Sequence, residues 1–124
     1  MLGRQRAPLP RRWTRYCPRV SSDAVVDEIG RRLAEVTPAR SRVVLFGSRA
    51  RGESHEHSDV DVLVIEPSVD DPIQESVRLR RTLRGLGVPI DLVVFGQEEA
   101  ERRAAVRGTV VERALREGRI LVDA

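Results

Sequence analysis

Lysine and asparagine are absent from this 124-residue chain, cysteine occurs once, and aromatic residues make up only 3% of it. Without lysine there is no phosphate loop of the GxxxxGK[S/T] kind and no lysine amine for Schiff-base chemistry. The lone Cys17 excludes a disulfide within this chain and any cysteine-rich zinc site. Cys17 has no nearby histidine to activate it and is not read as a nucleophile. No run approaches the ~20 apolar residues of a membrane span, so a cytoplasmic location without a membrane partner is expected. Trp13 and Tyr16 sit near the N-terminus, leaving Phe46 and Phe95 for the body, too few for a base-stacking platform.

The basic residues, all arginine, are unevenly placed. Residues 1–20 carry Arg4, Arg6, Arg11, Arg12, Arg15 and Arg19 with no acid, whereas residues 21–124 hold 16 Arg against 19 acids. The net charge of +3 therefore belongs to an N-terminal segment, and the body is mildly acidic. Such a body argues against direct nucleic-acid binding, which needs clustered cations to neutralise phosphates. With Pro8, Pro10 and Pro18 among its arginines, 1–20 has neither helix nor strand period and reads as a disordered basic extension, or as sequence ahead of a true start nearer Val20. The remaining 21–124 is the length of one domain.

In that domain, cap residues Ser21, Ser22 and Asp23 precede Val25, Val26, Ile29, Leu33 and Val36 at helical spacing, ended by Pro38. Val43 to Phe46 predicts a buried strand, followed at once by Gly47-Ser48 and a helical turn, Arg49 to Gly52. Asp59 to Ile65 predicts a second strand. A helix is expected from Pro72 to about Leu86, and a third strand from Val88 to Phe95. Two helices (Gln97 to about Arg107, Thr109 to Glu117), a C-cap at Gly118 and a short strand from Arg119 to Val122 complete the reading.

The second strand carries the most informative anomaly. Side chains alternate across a strand, so Asp59, Asp61, Leu63 and Ile65 share one face. Two carboxylates thus lie side by side at the start of an otherwise buried strand, where repulsion and desolvation are both unfavourable. A divalent cation resolves the conflict, and oxygen-only ligands suit Mg²⁺ or Mn²⁺. Asp91 interrupts the apolar third strand in the same way, and three acids on neighbouring strands can converge on a two-metal site that holds a nucleotide phosphate. Gly47-Ser48, turning straight from strand to helix, offers backbone N–H groups and a hydroxyl to an anion. Gly47 to Gly52 has the glycine spacing of a phosphate loop, but Glu53 stands where that loop needs lysine.

Phe46-Gly47-Ser48, ten residues, Asp59-Val60-Asp61, and then Asp91 in an apolar strand resemble the DNA polymerase beta-like nucleotidyltransferase superfamily. Gly47 to Glu53 followed by Ser58 to Val64 is similar to its minimal nucleotidyltransferase group. The resemblance spans about residues 22–124. It implies an α/β (α+β) fold with a small mixed β-sheet flanked by helices, and transfer of a nucleoside monophosphate from an NTP with release of pyrophosphate. It further implies that Gly47 and Ser48 hold the triphosphate, that Asp59 and Asp61 bind two Mg²⁺ ions, and that Asp91 binds metal and acts as general base.

Arg49 and Arg51 could neutralise phosphate charge, although helical geometry points them about 200° apart. His55 and His57, in the polar loop before the acids, read as solvent-exposed. The domain is too short to carry an acceptor-binding domain of its own. Minimal nucleotidyltransferases resemble antitoxins paired with HEPN-domain toxins, so the resemblance implies AMP transfer from ATP to a tyrosine of a HEPN partner. Two alternatives accompany this reading: an antitoxin that neutralises its partner by binding alone, and a nucleotidyltransferase subunit acting on a small molecule with a separate substrate-binding subunit.

Overall fold

The computed structural model describes residues 24–47, 50 and 59–123. The basic extension, the cap at 21–23, Cys17, Ser48, Arg49, Arg51, the turn to Gly52, His55 and His57 lie outside the described residues.

Helix α1 (Ala24–Val36) places Val26, Ile29 and Leu33 in the core through their helical spacing and stops before Pro38. Strand β1 (Arg42–Phe46) follows, then β2 (Val60–Glu66). Helix α2 (Pro72–Thr82) starts with proline at its first position and the Asp71 side chain accepting the Gln74 N–H at 3.2 Å. Strand β3 (Ile90–Gly96) leads directly into α3 (Gln97–Ala104). Helix α4 (Val110–Glu117) is capped by Thr109 Oγ1, which accepts from the Glu112 N–H, and β4 (Arg119–Asp123) ends the fold.

The strands form one mixed sheet in the order β3-β2-β1-β4. β1 is antiparallel to β2 and to β4, whereas β2 and β3 are parallel and joined through α2. The two sheet faces bury different helices. Val43, Leu45, Val60, Val62, Val64, Leu92 and Val94 pack with α1 and α2, while Val44, Leu63 and Ile65 pack with Ala100 of α3 and Val111 and Ala114 of α4. Leu63 and Ile65 therefore do share a face, the side of α3 and α4.

Three boundaries differ from expectation by two residues or more. Helix α2 ends at Thr82 rather than near Leu86, because the chain unwinds at Leu83 and reaches Gly85 at φ +85°. β3 begins at Ile90 rather than Val88, since Gly87 lies at φ +78° and Pro89 has no N–H to enter a ladder. The helix from Gln97 ends at Ala104, three residues short of Arg107. Gly118 closes α4 as expected, its N–H donating to the Ala114 carbonyl at 2.8 Å.

Candidate active site

Two connections bring the acids to one end of the sheet. The parallel β2–β3 ladder sets Asp61 directly opposite Asp91, and the Val60 N–H donates to the Pro89 carbonyl at 3.0 Å, pinning the start of β2 to the approach to β3. Asp61 is half-buried; Asp59, two residues earlier, and Asp91 are exposed. All three fall on the α3/α4 side by alternation. Those helices cover Leu63 and Ile65 further along β2 and leave the acid end uncovered.

On the other flank of β2, Phe46 is the register partner of Asp61, and Gly47 follows it. Gly47 adopts φ +79°, and a Cβ placed on it would overlap Asp61 Oδ2 and come within 3.2 Å of Cγ. Glycine is needed here twice over, for the left-handed backbone and for the space occupied by the carboxylate. The Gly47 carbonyl accepts the Ala50 N–H at 3.1 Å. The backbone bend and the Asp61–Asp91 pair therefore lie side by side.

Among the described residues, no three acid, histidine or cysteine side chains stand close enough to hold a metal ion as a group. Asp59, Asp61 and Asp91 share a sheet end and a face without closing into one cluster, as mutually repelling carboxylates would. Their chemistry suits a hard divalent cation: carboxylate oxygens only, two of the acids in register, beside a glycine that lets the Asp61 carboxylate lie against the backbone.

The other charged groups are mostly exposed ion pairs on helix surfaces. Arg32 and Arg31 bind Glu28, Arg103 and Arg102 bind Glu99, and Arg116 binds Glu112. Glu112, held by the Arg116 guanidinium and the Gly108 N–H, has its carboxyl lowered to about 2. Glu66 is different: it lies one residue past the strand end expected at Ile65, and it closes β2 as a buried residue. Extending the alternation Val60, Val62, Val64 by one step would have placed it on the buried face.

A nucleotidyltransferase domain family matches residues 26–121, most of the chain. The chain belongs to that family. A solved structure described provisionally as a minimal nucleotidyltransferase is 33% identical, covering 77% of this chain and 88% of its own with a TM-score of 0.50. Together with the sheet and its helices, these similarities make the chain a minimal nucleotidyltransferase domain of the polymerase beta-like superfamily. A structure described provisionally as a nucleotidyltransferase, from Sulfolobus solfataricus, shares the fold at 24% identity and TM-score 0.53, over 78% of this chain and 76% of its own. A toxin–antitoxin structure with AMP-PNP shares it at 20% identity and TM-score 0.55, over 84% and 75%. No curated protein matches the chain. Among the described residues, no helix of this nucleotidyltransferase domain is long and apolar enough to cross a membrane.

Proposed function

We propose that this nucleotidyltransferase transfers AMP from Mg²⁺-ATP to a tyrosine hydroxyl of a HEPN-domain toxin and so acts as its antitoxin. The observation that carries the site is the register of Asp61 with Asp91 beside the Gly47 bend. Family membership supports nucleotidyl transfer, and the shared fold of the toxin–antitoxin structure with AMP-PNP supports the nucleotide and the partner class.

In this reading Asp59, Asp61 and Asp91 hold the divalent ions, which neutralise phosphate charge when bound. Gly47 gives the triphosphate close access to the backbone, and Ser48 adds a hydroxyl. Arg49 and Arg51 offset the remaining negative charge. Asp91 takes the proton of the acceptor hydroxyl as its oxygen attacks the α-phosphorus. The Pα–O bond to the β-phosphate breaks, pyrophosphate leaves, and a phosphodiester joins AMP to the partner. The exposure of Asp91 at an edge strand leaves room for a hydroxyl delivered by a second protein.

Intact mass of a candidate HEPN-domain partner, after incubation with this chain and MgATP, tests the proposal. Discrete AMP increments that vanish with Asp61→Asn or Asp91→Asn support it. An unmodified partner with the wild-type protein, or undiminished labelling by both variants, overturns it. Toxin neutralised equally by the two variants would favour antitoxin action by binding alone.

A further inference from the structure

Glu66 stands five residues along β2 from Asp61, a span of ~17 Å at strand rise. It is 3% exposed, and its Oε2 has no hydrogen-bond partner. Burying a carboxylate this way is unfavourable unless it is neutralised or paired. Helix α2 brings Glu75 and Arg78 to it. The Arg78 guanidinium donates to Glu75 through Nε at 2.9 Å and Nη2 at 2.6 Å, and Nη2 also donates to the Val36 carbonyl at the end of α1, at 3.0 Å. A cavity of about 670 Å³ adjoins the cluster, lined among others by Glu66, Asp70, Asp71, Glu75, Arg78 and Arg81.

We infer that Glu66, Glu75 and Arg78 form a proton-dependent latch. With Glu66 protonated, its hydroxyl donates to the Glu75 carboxylate and completes a hydrogen-bonded chain from β2 through α2 to the Val36 carbonyl of α1. Release of that proton to solvent sets two carboxylates against each other, and the first turns of α2 separate from the sheet over the cavity.

The surrounding charges fit this assignment. From α2, Glu75, Arg78 and Arg81 face the cavity; from the β2–α2 loop, Asp70 and Asp71 do, and Asp71 is committed to capping α2. From α1 the contact is the Val36 carbonyl rather than a charge. On the β1 side, Ser41 precedes Arg42, the partner of Ile65, and so stands beside Glu66; its Oγ is likewise buried without a partner. Burial, and then the Glu75 carboxylate, push Glu66 up to about 8, whereas Arg78 holds Glu75 below its ordinary value.

The sign follows from these directions. The folded protein keeps on Glu66 a proton that the unfolded chain loses above about 4.5. The Glu66 contribution is therefore complete below that pH, weakens as pH rises, and is lost through about 8, with the opening constant growing up to tenfold per pH unit in between. Glu75 acts oppositely and in a separate window, losing its contribution as pH falls below its ordinary value. Helix α2 also donates from Arg80 Nη2 to the Leu92 carbonyl, next to Asp91, so its docking supports the edge strand as well.

Hydrogen-exchange protection of α2 amides, corrected for intrinsic rates, tests the latch. Between pH 6 and 9 it should fall tenfold or more in the wild-type protein while α4 protection holds. In Glu66→Gln, which keeps a neutral donor, α2 protection should not change with pH. Wild-type α2 protection independent of pH, or a fall that survives in Glu66→Gln, overturns the inference. Should Glu66→Gln not fold, the ¹³C-carboxyl titration of Glu66 in the wild-type protein decides: a midpoint well above the usual carboxylate range supports the latch, and one within it refutes it.

Discussion

Gly47→Ala separates two effects that meet at one residue. The backbone there is left-handed at φ +79°, which disfavours an L-alanine by about 1–2 kcal/mol. In addition the new Cβ would overlap Asp61 Oδ2, so the carboxylate must leave its position. Asp61 is half-buried and can turn, but an off-rotamer side chain costs a further ~0.5–1.5 kcal/mol. The structure supplies its own control. Gly87 has nearly the same backbone, φ +78°, yet a Cβ there meets nothing within 4 Å, and Gly85 at φ +85° is equally open. Gly87→Ala and Gly85→Ala should therefore show the left-handed cost alone.

Denaturant unfolding of the three variants measures the stability difference, and the rate of the proposed AMP transfer measures its consequence. Gly47→Ala should be the least stable by roughly 0.5–1.5 kcal/mol. Because displacement of a site group by ~1 Å can cost about 10²-fold in rate, it should also lose transfer on that order while the two controls retain it. Equal stability of all three variants would show that the Gly47–Asp61 contact does not constrain the chain. Normal transfer by Gly47→Ala would remove the bend from the site.

Other outcomes follow from the same structure. Asp91→Asn should reduce transfer by about 10²–10⁴-fold, read in single-turnover kinetics, with little change in thermal midpoint because Asp91 is exposed. Glu112 has a lowered carboxyl, so its pairing with Arg116 and the Gly108 N–H contributes above its ordinary value and is lost as pH falls toward about 2. Wild-type protein should accordingly lose thermal stability over that acid window more steeply than Glu112→Gln. Leu79→Ala empties a fully buried position between α2 and the sheet and should destabilise by about 2–5 kcal/mol in urea unfolding.

The acid end of the fold was legible wherever the signal was local. Alternation through Asp59, Val60, Asp61 and Val62 predicts the strand and its two faces, and the observed cores divide Leu63 and Ile65 from Val60, Val62 and Val64 accordingly. What local pattern does not contain is the pairing of Asp61 with Asp91. That depends on how α2 returns the chain to a parallel strand, a relation between residues 30 apart. The early end of α2 and late start of β3 have a similar origin. Apolar residues from Leu83 to Val88 continue the neighbouring patterns, but Gly85, Gly87 and Pro89 override them through backbone geometry.

At the opposite end, Glu66 lay beyond what local pattern predicts. A carboxylate at the edge of a strand is ordinarily solvent-facing, so its polarity suggests a turn. Its position on the Val60–Val62–Val64 face requires burial instead, and α2 offsets the cost by bringing Glu75 and Arg78 from nine and twelve residues downstream. β2 thus carries acids under opposite conditions. At its start Asp59 is exposed, and Asp61, half-buried, stands in register with another acid. At its end the acid is enclosed, with one oxygen unsatisfied, and its charge is suppressed. Glu66→Gln should therefore leave AMP transfer near wild type at pH 6 while Asp61→Asn abolishes it, and equal losses from the two substitutions would refute that division of the strand.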